Sequence, residues 1–268
     1  GSEMCIRDSS MMVKNPVVDF RALGNLNFTV GCVLSFIVGI GMFATIYLTP
    51  LFLGYVRGFS AWQTGMAIFS TGLASIVGVP CYIFLAKRVD LRWLMMGGLV
   101  CFGLGMWSFS YITSEWGWQQ LLVPQILRGF PQVFCVAPSV TLGLGSLPPE
   151  RLKYASGLFN MMRNLGGAVG IALCGAVLND RTNFHFMVLA SNLTMARPQI
   201  PALLQGFSDQ LDGSGRALKL LWKLTYAQAQ TMAYADAFCA IAAAFALAVC
   251  LAPLLRQVKP AAAPPPEH

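Results

Sequence analysis

Apolar residues in this chain are gathered into six long runs that are separated by polar stretches. Each run is long enough for a helix that crosses about 30 Å of hydrocarbon, which takes about 20 residues. The sequence therefore predicts an all-α integral membrane protein folded as a six-helix bundle. The predicted spans are Phe28–Phe52, Trp62–Ala86, Trp93–Ile112, Gln120–Leu147, Ser156–Leu178 and Ala233–Leu255.

The composition indicates that much of the protein surface faces lipid. Of the 268 residues, 56% are hydrophobic and only 11% are charged, whereas soluble domains carry about 25% charged residues. The formal net charge is +7, but the basic residues lie in short loops between apolar runs. That pattern is typical of membrane orientation and argues against nucleic acid as a partner.

The segments around the spans follow from the same runs. The first ten residues lack the apolar region of a signal peptide, and apolar residues recur at helical spacing before the last run. The predicted segments are a cytoplasmic lead-in (1–27, with 1–10 expected to be non-native), five transmembrane helices (28–179), an extracytoplasmic amphipathic segment (180–232), a sixth transmembrane helix (233–255) and a disordered cytoplasmic tail (256–268).

Lysine and arginine are concentrated on one side of the predicted membrane. The two short outer loops hold only Arg57, and basic residues of long loops weigh little in orientation. Both termini are therefore predicted to be cytoplasmic. The residues on the inner side are Lys14, Arg21, Lys87, Arg88, Arg92, Arg151, Lys153, Arg256 and Lys259.

The sequence offers no pattern for enzyme chemistry. The eight cysteines form no C-x-x-C pair, and seven of them lie in apolar stretches, where cysteine behaves as a small hydrophobe. No phosphate-binding loop, dinucleotide fingerprint or H-E-x-x-H pair occurs. We therefore expect no metal, no cofactor and no catalytic residues.

Polar side chains in the fourth span are the first candidates for function. An ionisable group at the centre of a membrane helix costs about 2.5 to 3.5 kcal/mol, so such groups tend to face a cavity or a partner. Arg128 lies about two turns from the outer end of this span. Gln125, Gly129, Gln132 and Ser139 step by three, four and seven along the same side. Snorkelling or bonding to backbone carbonyls is the alternative for Arg128.

The fifth span repeats this arrangement. Asn160, Arg163 and Asn164 form a second polar stripe, for which packing is an equal alternative. Gly166 and Gly170 form a small-x-x-x-small surface that lets another helix approach closely.

Asp236 is the one carboxylate within or at the edge of a span. It could gate, bind a cation, pair with an arginine of a neighbouring span, or mark the interface. Because no span holds an acid at its middle, we expect any main protonated carboxylate to lie outside this chain.

Several stretches resemble one transporter group. They read FRALGNLNF from Phe20, GFSAWQTG from Gly58, GLFNMMRNLGG from Gly157 and YADAF from Tyr234. Over about Val17 to Arg256 the chain is similar to the C-terminal half of the 14-span drug:proton antiporters of the major facilitator superfamily, the EmrB/QacA type.

The resemblance implies half of a major facilitator fold in a bacterial inner membrane, with eight further spans before it. It implies small amphipathic or cationic substrates, protons as the coupling ion and a periplasmic adaptor protein as a further partner to consider. Gln125, Arg128 and Gln132 would line a central cleft. Asn160, Arg163, Asn164 and Asp236 would complete the pathway.

A conformational loop is also implied between the second and third spans. Arg88, Asp90 and Arg92 match its charged positions, whereas Ile83, Lys87 and Leu91 depart from its glycine, acid and proline. Two alternatives stay open at this stage. One is a transporter of an organic anion or metabolite, and the other is a truncated fragment that does not transport.

Overall fold

The protein is an assembly of helices, and its computed structural model describes residues 25–145, 149–193, 201, 205 and 214–255. No strand occurs in these ranges. Six stretches are long and apolar enough to cross a membrane, which confirms the predicted fold class. The helices are α1 (Leu26–Leu51, extended by a π-helical turn, Phe52–Val56), α2 (Ala61–Ala86), α3 (Leu91–Phe109), α4 (Trp118–Gly129), α5 (Gln132–Leu144), α6 (Pro149–Asn192) and α7 (Ser214–Leu251, followed by a 3-10 turn, Ala252–Leu254).

Local signals set the starts of the first two helices. The Asn25 side chain accepts a hydrogen bond of 3.0 Å from the backbone N–H of Asn27 at the start of α1. Ser60 and Gln63 form a capping box at the start of α2. Gly58, with φ of 67°, makes the turn between α1 and α2 in the left-handed region that favours glycine.

The fourth span is broken into two helices, where the sequence predicted one. α4 ends at Gly129 and α5 begins at Gln132, with Pro131 between them. Proline has no N–H and cannot extend the hydrogen-bond ladder of the preceding turn. The break places Arg128 in the last turn of α4.

The last two helices are longer than predicted. α6 has 44 residues and α7 has 38, so they are about 66 Å and 57 Å long at 1.5 Å per residue. The predicted borders at Leu178 and Ala233 lie inside these helices. Hydropathy falls at those points, but no glycine or proline stops the backbone between Asn179 and Asn192.

Residues 180–192 and 214–232 of the predicted 180–232 segment therefore continue α6 and α7. Most of its centre, with the breaks predicted around Pro198 and Asp212, lies outside the described residues. The same holds for residues 1–24, for 256–268 and for the side chains of 149–154.

Helices α1, α3 and α7 enclose most of the apolar core. Aromatic rings join α3 to α7 in two stacked pairs. The ring centroids of Phe102 and Phe245 are 4.4 Å apart, and those of Phe109 and Phe238 are 4.8 Å apart. Such pairs add about 0.5 to 1.5 kcal/mol beyond their burial.

The predicted glycine contact on α6 is confirmed, and its partner is α1. A Cβ at Gly166 would collide with the backbone carbonyl of Phe36, and one at Gly170 would lie 2.9 Å from the Cα of Ile40. Only glycine allows the two backbones to come this close.

Helix α2 lies at the edge of the bundle and packs mainly on α4 and α5. Its buried residues are Ala67, Thr71, Ala74 and Gly78. The hydroxyl of Ser75 donates to the carbonyl oxygen of Gly129 over 2.9 Å. This contact brings α2 beside the last turn of α4.

Candidate functional site

A buried polar network joins α2 to α4. The Thr71 hydroxyl donates to Oε1 of Gln125 over 2.5 Å and accepts from Nη2 of Arg128 over 3.2 Å. Gln125 is fully buried, and Arg128 is 4% exposed. Since a Cβ at Gly129 would collide with the Thr71 carbonyl, the glycine permits the short distance between these helices.

The Arg128 guanidinium carries a charge that no described residue neutralises. Nη1 of Arg128 and Nε2 of Gln125 are buried and have no hydrogen-bond partner in the described part of the chain. Helices α1 to α5 contain no aspartate or glutamate. A buried cation without a counter-charge is expensive, so a structure that keeps one is typical of a functional site.

Arg128 and Gln132 line a cavity of about 550 Å³ between α1, α2 and the α4–α5 break. Thr45, Thr71 and Ser75 supply the other polar side chains of its wall. The rest of the wall is glycine or apolar, including Ile46, Phe69 and Phe102. The volume lies in the range of small-molecule sites, which is about 300 to 1,000 Å³.

The structure thus brings together Gln125, Arg128 and Gln132 of the predicted set. Arg128 and Gln132 face the cavity, and Gln125 lies behind Arg128 as a partner of Thr71. Ser139, from the same stripe, is buried, and its hydroxyl donates to the carbonyl oxygen of Val136 over 2.9 Å. Sequence reasoning missed Thr71, because its role depends on how α2 packs on α4.

The stripe on α6 lies elsewhere. Asn160 and Asn164 are exposed, and Arg163 is half-buried with its Cζ 5.9 Å from the centre of the Phe159 ring. Of the predicted stripe, no member lines the Arg128 cavity. The carbonyl of Arg163 packs against Gly39 of α1, so this turn also holds the bundle together.

Asp236 forms a second polar cluster, between α6 and α7. Its Oδ2 accepts from Nε of Arg181 over 2.7 Å and lies 2.8 Å from Nε2 of His185. Of the four roles left open for Asp236, the geometry favours pairing with an arginine of a neighbouring helix. Arg181 and His185 stand four residues apart on one face. That spacing was the signal, but they fell in a segment predicted to lie outside the membrane.

The loop residues lie at the junction of α2 and α3. Asp90 occupies the N-cap of α3, and the Arg88 guanidinium lies 4.4 Å from the centre of the Phe84 ring. Nε of Arg92 is buried without a hydrogen-bond partner in the described ranges. The conformational role implied for this loop stays a prediction.

The cysteines and other potential ligands gather nowhere into a metal site within the residues described. The seven described cysteines are free thiols. The Arg128 cavity is therefore the site on which a function can be argued.

Comparison with known protein families gives one match that covers most of the chain. The sequence profile described as Major Facilitator Superfamily matches residues 31–259. That range covers α2 to α7 completely and all of α1 except its first five residues.

Individual relatives are bacterial proteins named for export or resistance. The chain is 28% identical over 226 residues to the colistin resistance protein EmrB of Acinetobacter baumannii, covering 82% of this chain and 44% of that protein. It is 29% identical over 209 residues to the multidrug export protein EmrB of Escherichia coli, covering 75% and 39%. Multidrug resistance protein Stp of Mycobacterium tuberculosis is 28% identical over 166 residues, covering 61% and 30%. The chain spans about two-fifths of the length of the first two relatives.

Proposed function

The chain belongs to the major facilitator superfamily, and from this premise we propose that it is the C-terminal six-helix half of a proton-coupled exporter of small amphipathic compounds. It is a multi-pass membrane transporter sequence related to the EmrB multidrug export proteins, and not an enzyme. The proposal includes protons as the coupling ion, export as the direction of transport, and a longer protein of which this chain is the C-terminal half.

The observation that carries the proposal is the unneutralised Arg128 at a cavity between helices. Transporters place substrate sites near the middle of the membrane, where helices are broken and polar groups become available. Here α4 ends at Gly129, one residue after Arg128, and α5 begins at Gln132. The side chains of Arg128 and Gln132 line the cavity. In this proposal, substrate enters the cavity from a cleft between this bundle and a facing one.

The carboxylates of the described helices bear on where protons would bind. Helices α1 to α5 carry no carboxylate, and Asp236 is engaged with Arg181 and His185. The main proton-binding carboxylate would therefore lie in the facing bundle. Both termini would be cytoplasmic, and a periplasmic adaptor would be a further partner of the assembled protein.

Efflux from cells tests the proposal. The chain would be produced with the N-terminal spans of the E. coli relative in a strain that lacks its own exporters. We expect loss of a preloaded amphipathic dye that stops when the proton gradient is collapsed. Arg128→Ala should abolish this efflux without lowering the amount of protein in the membrane.

The matched control is Arg57→Ala, in the outer loop, where the side chain donates to the Ser114 carbonyl. Efflux at an undiminished rate in Arg128→Ala would remove Arg128 from the mechanism. Efflux that persists after the gradient is collapsed would contradict proton coupling.

A further inference from the structure

We propose that the Arg128 cavity binds the carboxylate, or a similar singly charged anionic group, of a small amphipathic solute. The inference rests on the proposed function, since it names the substrate class that the same site would take. The sequence left both cationic and anionic substrates open, and the donors and acceptors of the cavity distinguish them.

The hydroxyl groups of the cavity already donate their hydrogens within the protein. Thr45 donates to the carbonyl oxygens of Gly41 and Met42 over 2.7 and 3.0 Å. Ser75 donates to the carbonyl oxygens of Thr71 and Gly129 over 3.0 and 2.9 Å. Thr71 donates to Gln125. No hydroxyl hydrogen of these three side chains is left for a ligand.

Two side chains of the wall keep unused donors. Nη1 of Arg128 has no partner among the described residues, and the Gln132 amide, half-buried on the same wall, donates to none of them. A guanidinium edge with one amide beside it matches the two oxygens of a carboxylate. A ligand without a negative charge would leave the guanidinium uncompensated.

A cation would find no negative charge there. The helices that form the cavity, α1 to α5, contain no acidic residue, and Arg128 would repel the ligand at short range. The low dielectric of the site strengthens both the attraction of an anion and the repulsion of a cation. Charge alone therefore selects the anion.

The remaining wall calls for an apolar body on the ligand. Ile46, Phe69 and Phe102 line the cavity away from the charged edge. The Thr71 hydroxyl holds Nη2 of Arg128 in place, so Nη1 is fixed before a ligand arrives. Such preorganisation lowers the entropy cost of binding.

Direct binding to the 268-residue chain in phosphatidylcholine nanodiscs tests the inference. The probes are 2-naphthoate and 2-naphthylmethylammonium, which have similar apolar bodies and opposite charges. We expect saturable binding of naphthoate, tighter than the ammonium by about tenfold or more, as a charge-assisted hydrogen bond would give. Equal binding of the two ions would overturn the proposal.

Two variants locate the binding. Arg128→Gln keeps a polar side chain and removes a costly buried charge, and it should weaken naphthoate binding about tenfold or more, whereas Arg57→Gln should not. Gly72 lines the cavity with open space beside it, so Gly72→Leu should fill the cavity without touching the arginine. Gly97→Leu on α3, also beside open space, is its control.

Naphthoate affinity that is unchanged in both Arg128→Gln and Gly72→Leu would overturn the assignment. A lipid headgroup offers the same chemistry, so a further arm replaces part of the phosphatidylcholine with phosphatidylglycerol. Persistent naphthoate binding supports a solute site, and its displacement by the anionic lipid overturns that choice in favour of a headgroup. Because no transport is measured, binding that succeeds while dye efflux fails would refute the proposed function alone.

Discussion

Two arginines of this bundle differ in how their charges are compensated. Arg128 is buried, donates to the neutral hydroxyl of Thr71 and has a free Nη1 within the described structure. Arg181 is half-exposed and meets the carboxylate of Asp236. The first arrangement leaves a charge available to a ligand, whereas the second uses the charge to join α6 to α7.

The Asp236 cluster yields a prediction at this scale. Asp236→Asn removes the negative charge that Arg181 and His185 share, and it should lower the free energy of unfolding. The ion pair is partly exposed, with side chains 47% and 33% exposed for Arg181 and Asp236, so the loss should be about 1 kcal/mol or less. Unfolding in detergent, followed by circular dichroism, measures it.

Asp180→Asn is the matched control, one residue before Arg181 on the exposed side of α6. It should leave stability unchanged. A loss of equal size in both variants would show that net charge, rather than the cluster, sets the effect.

The sequence alone predicts a functional residue when the side chain itself is unusual for its surroundings. Arg128 and Gln125 stood out because a charge and an amide in an apolar run need partners wherever the helices go. Thr71, Arg181 and His185 carry no such signal, because their roles depend on the register between two helices. That register is set by packing, which one sequence does not display.

At the scale of elements, closely packed glycines make the α1–α6 contact testable. A Cβ at Gly166 would collide with the backbone of Phe36, so Gly166→Ala must push the helices apart. Overpacking of this kind costs about 1 to 3 kcal/mol. Thermal unfolding of the purified chain should show the loss.

Gly157 and Gly175 lie on the same helix and have open space at the position of a Cβ. Alanine at either position should be neutral or stabilise by up to about 1 kcal/mol, because alanine is the better helix former. Destabilisation by these controls as large as by Gly166→Ala would contradict the close approach of α1 and α6.

Predicted and observed elements agree where hydropathy alone decides. The first three spans have no competing explanation, since about 20 apolar residues fit a membrane helix and little else. Predicted and observed helix borders differ where a helix continues beyond its apolar run. Beyond Leu178, for example, polar residues continue α6. The fourth span breaks at Pro131, whereas Pro50, Pro80, Pro124 and Pro138 lie inside helices. A proline in an apolar run therefore does not by itself predict where a helix ends.

At the scale of the whole molecule, α2 presents a broad apolar face outside the bundle. Phe69 and Ile76 are 65% and 69% exposed, although the helix also carries Thr71 of the buried network. Exposed apolar residues can face lipid, but exposed Asn160 and Asn164 on α6 cannot do so cheaply. A facing bundle or a watery cleft would cover these asparagines.

The last prediction concerns the facing bundle that would cover Asn160 and Asn164. A lone bundle lacks the second wall that must close one side of a pathway while the other side opens. Purified residues 1–268 in vesicles should therefore show no flux driven by a proton gradient. Adding the N-terminal spans of a relative should restore it, and Arg128→Ala should remove it again.

The control is the same pair of halves in vesicles without a gradient, which sets the passive leak of the probe. Gradient-driven flux by the chain alone would contradict the prediction. It would mean that a second copy supplies the missing wall, and cross-linking through cysteine placed at Asn164 should then trap a homodimer. Absence of such flux, together with its recovery when the N-terminal spans are added, would agree with a pathway that needs two different bundles.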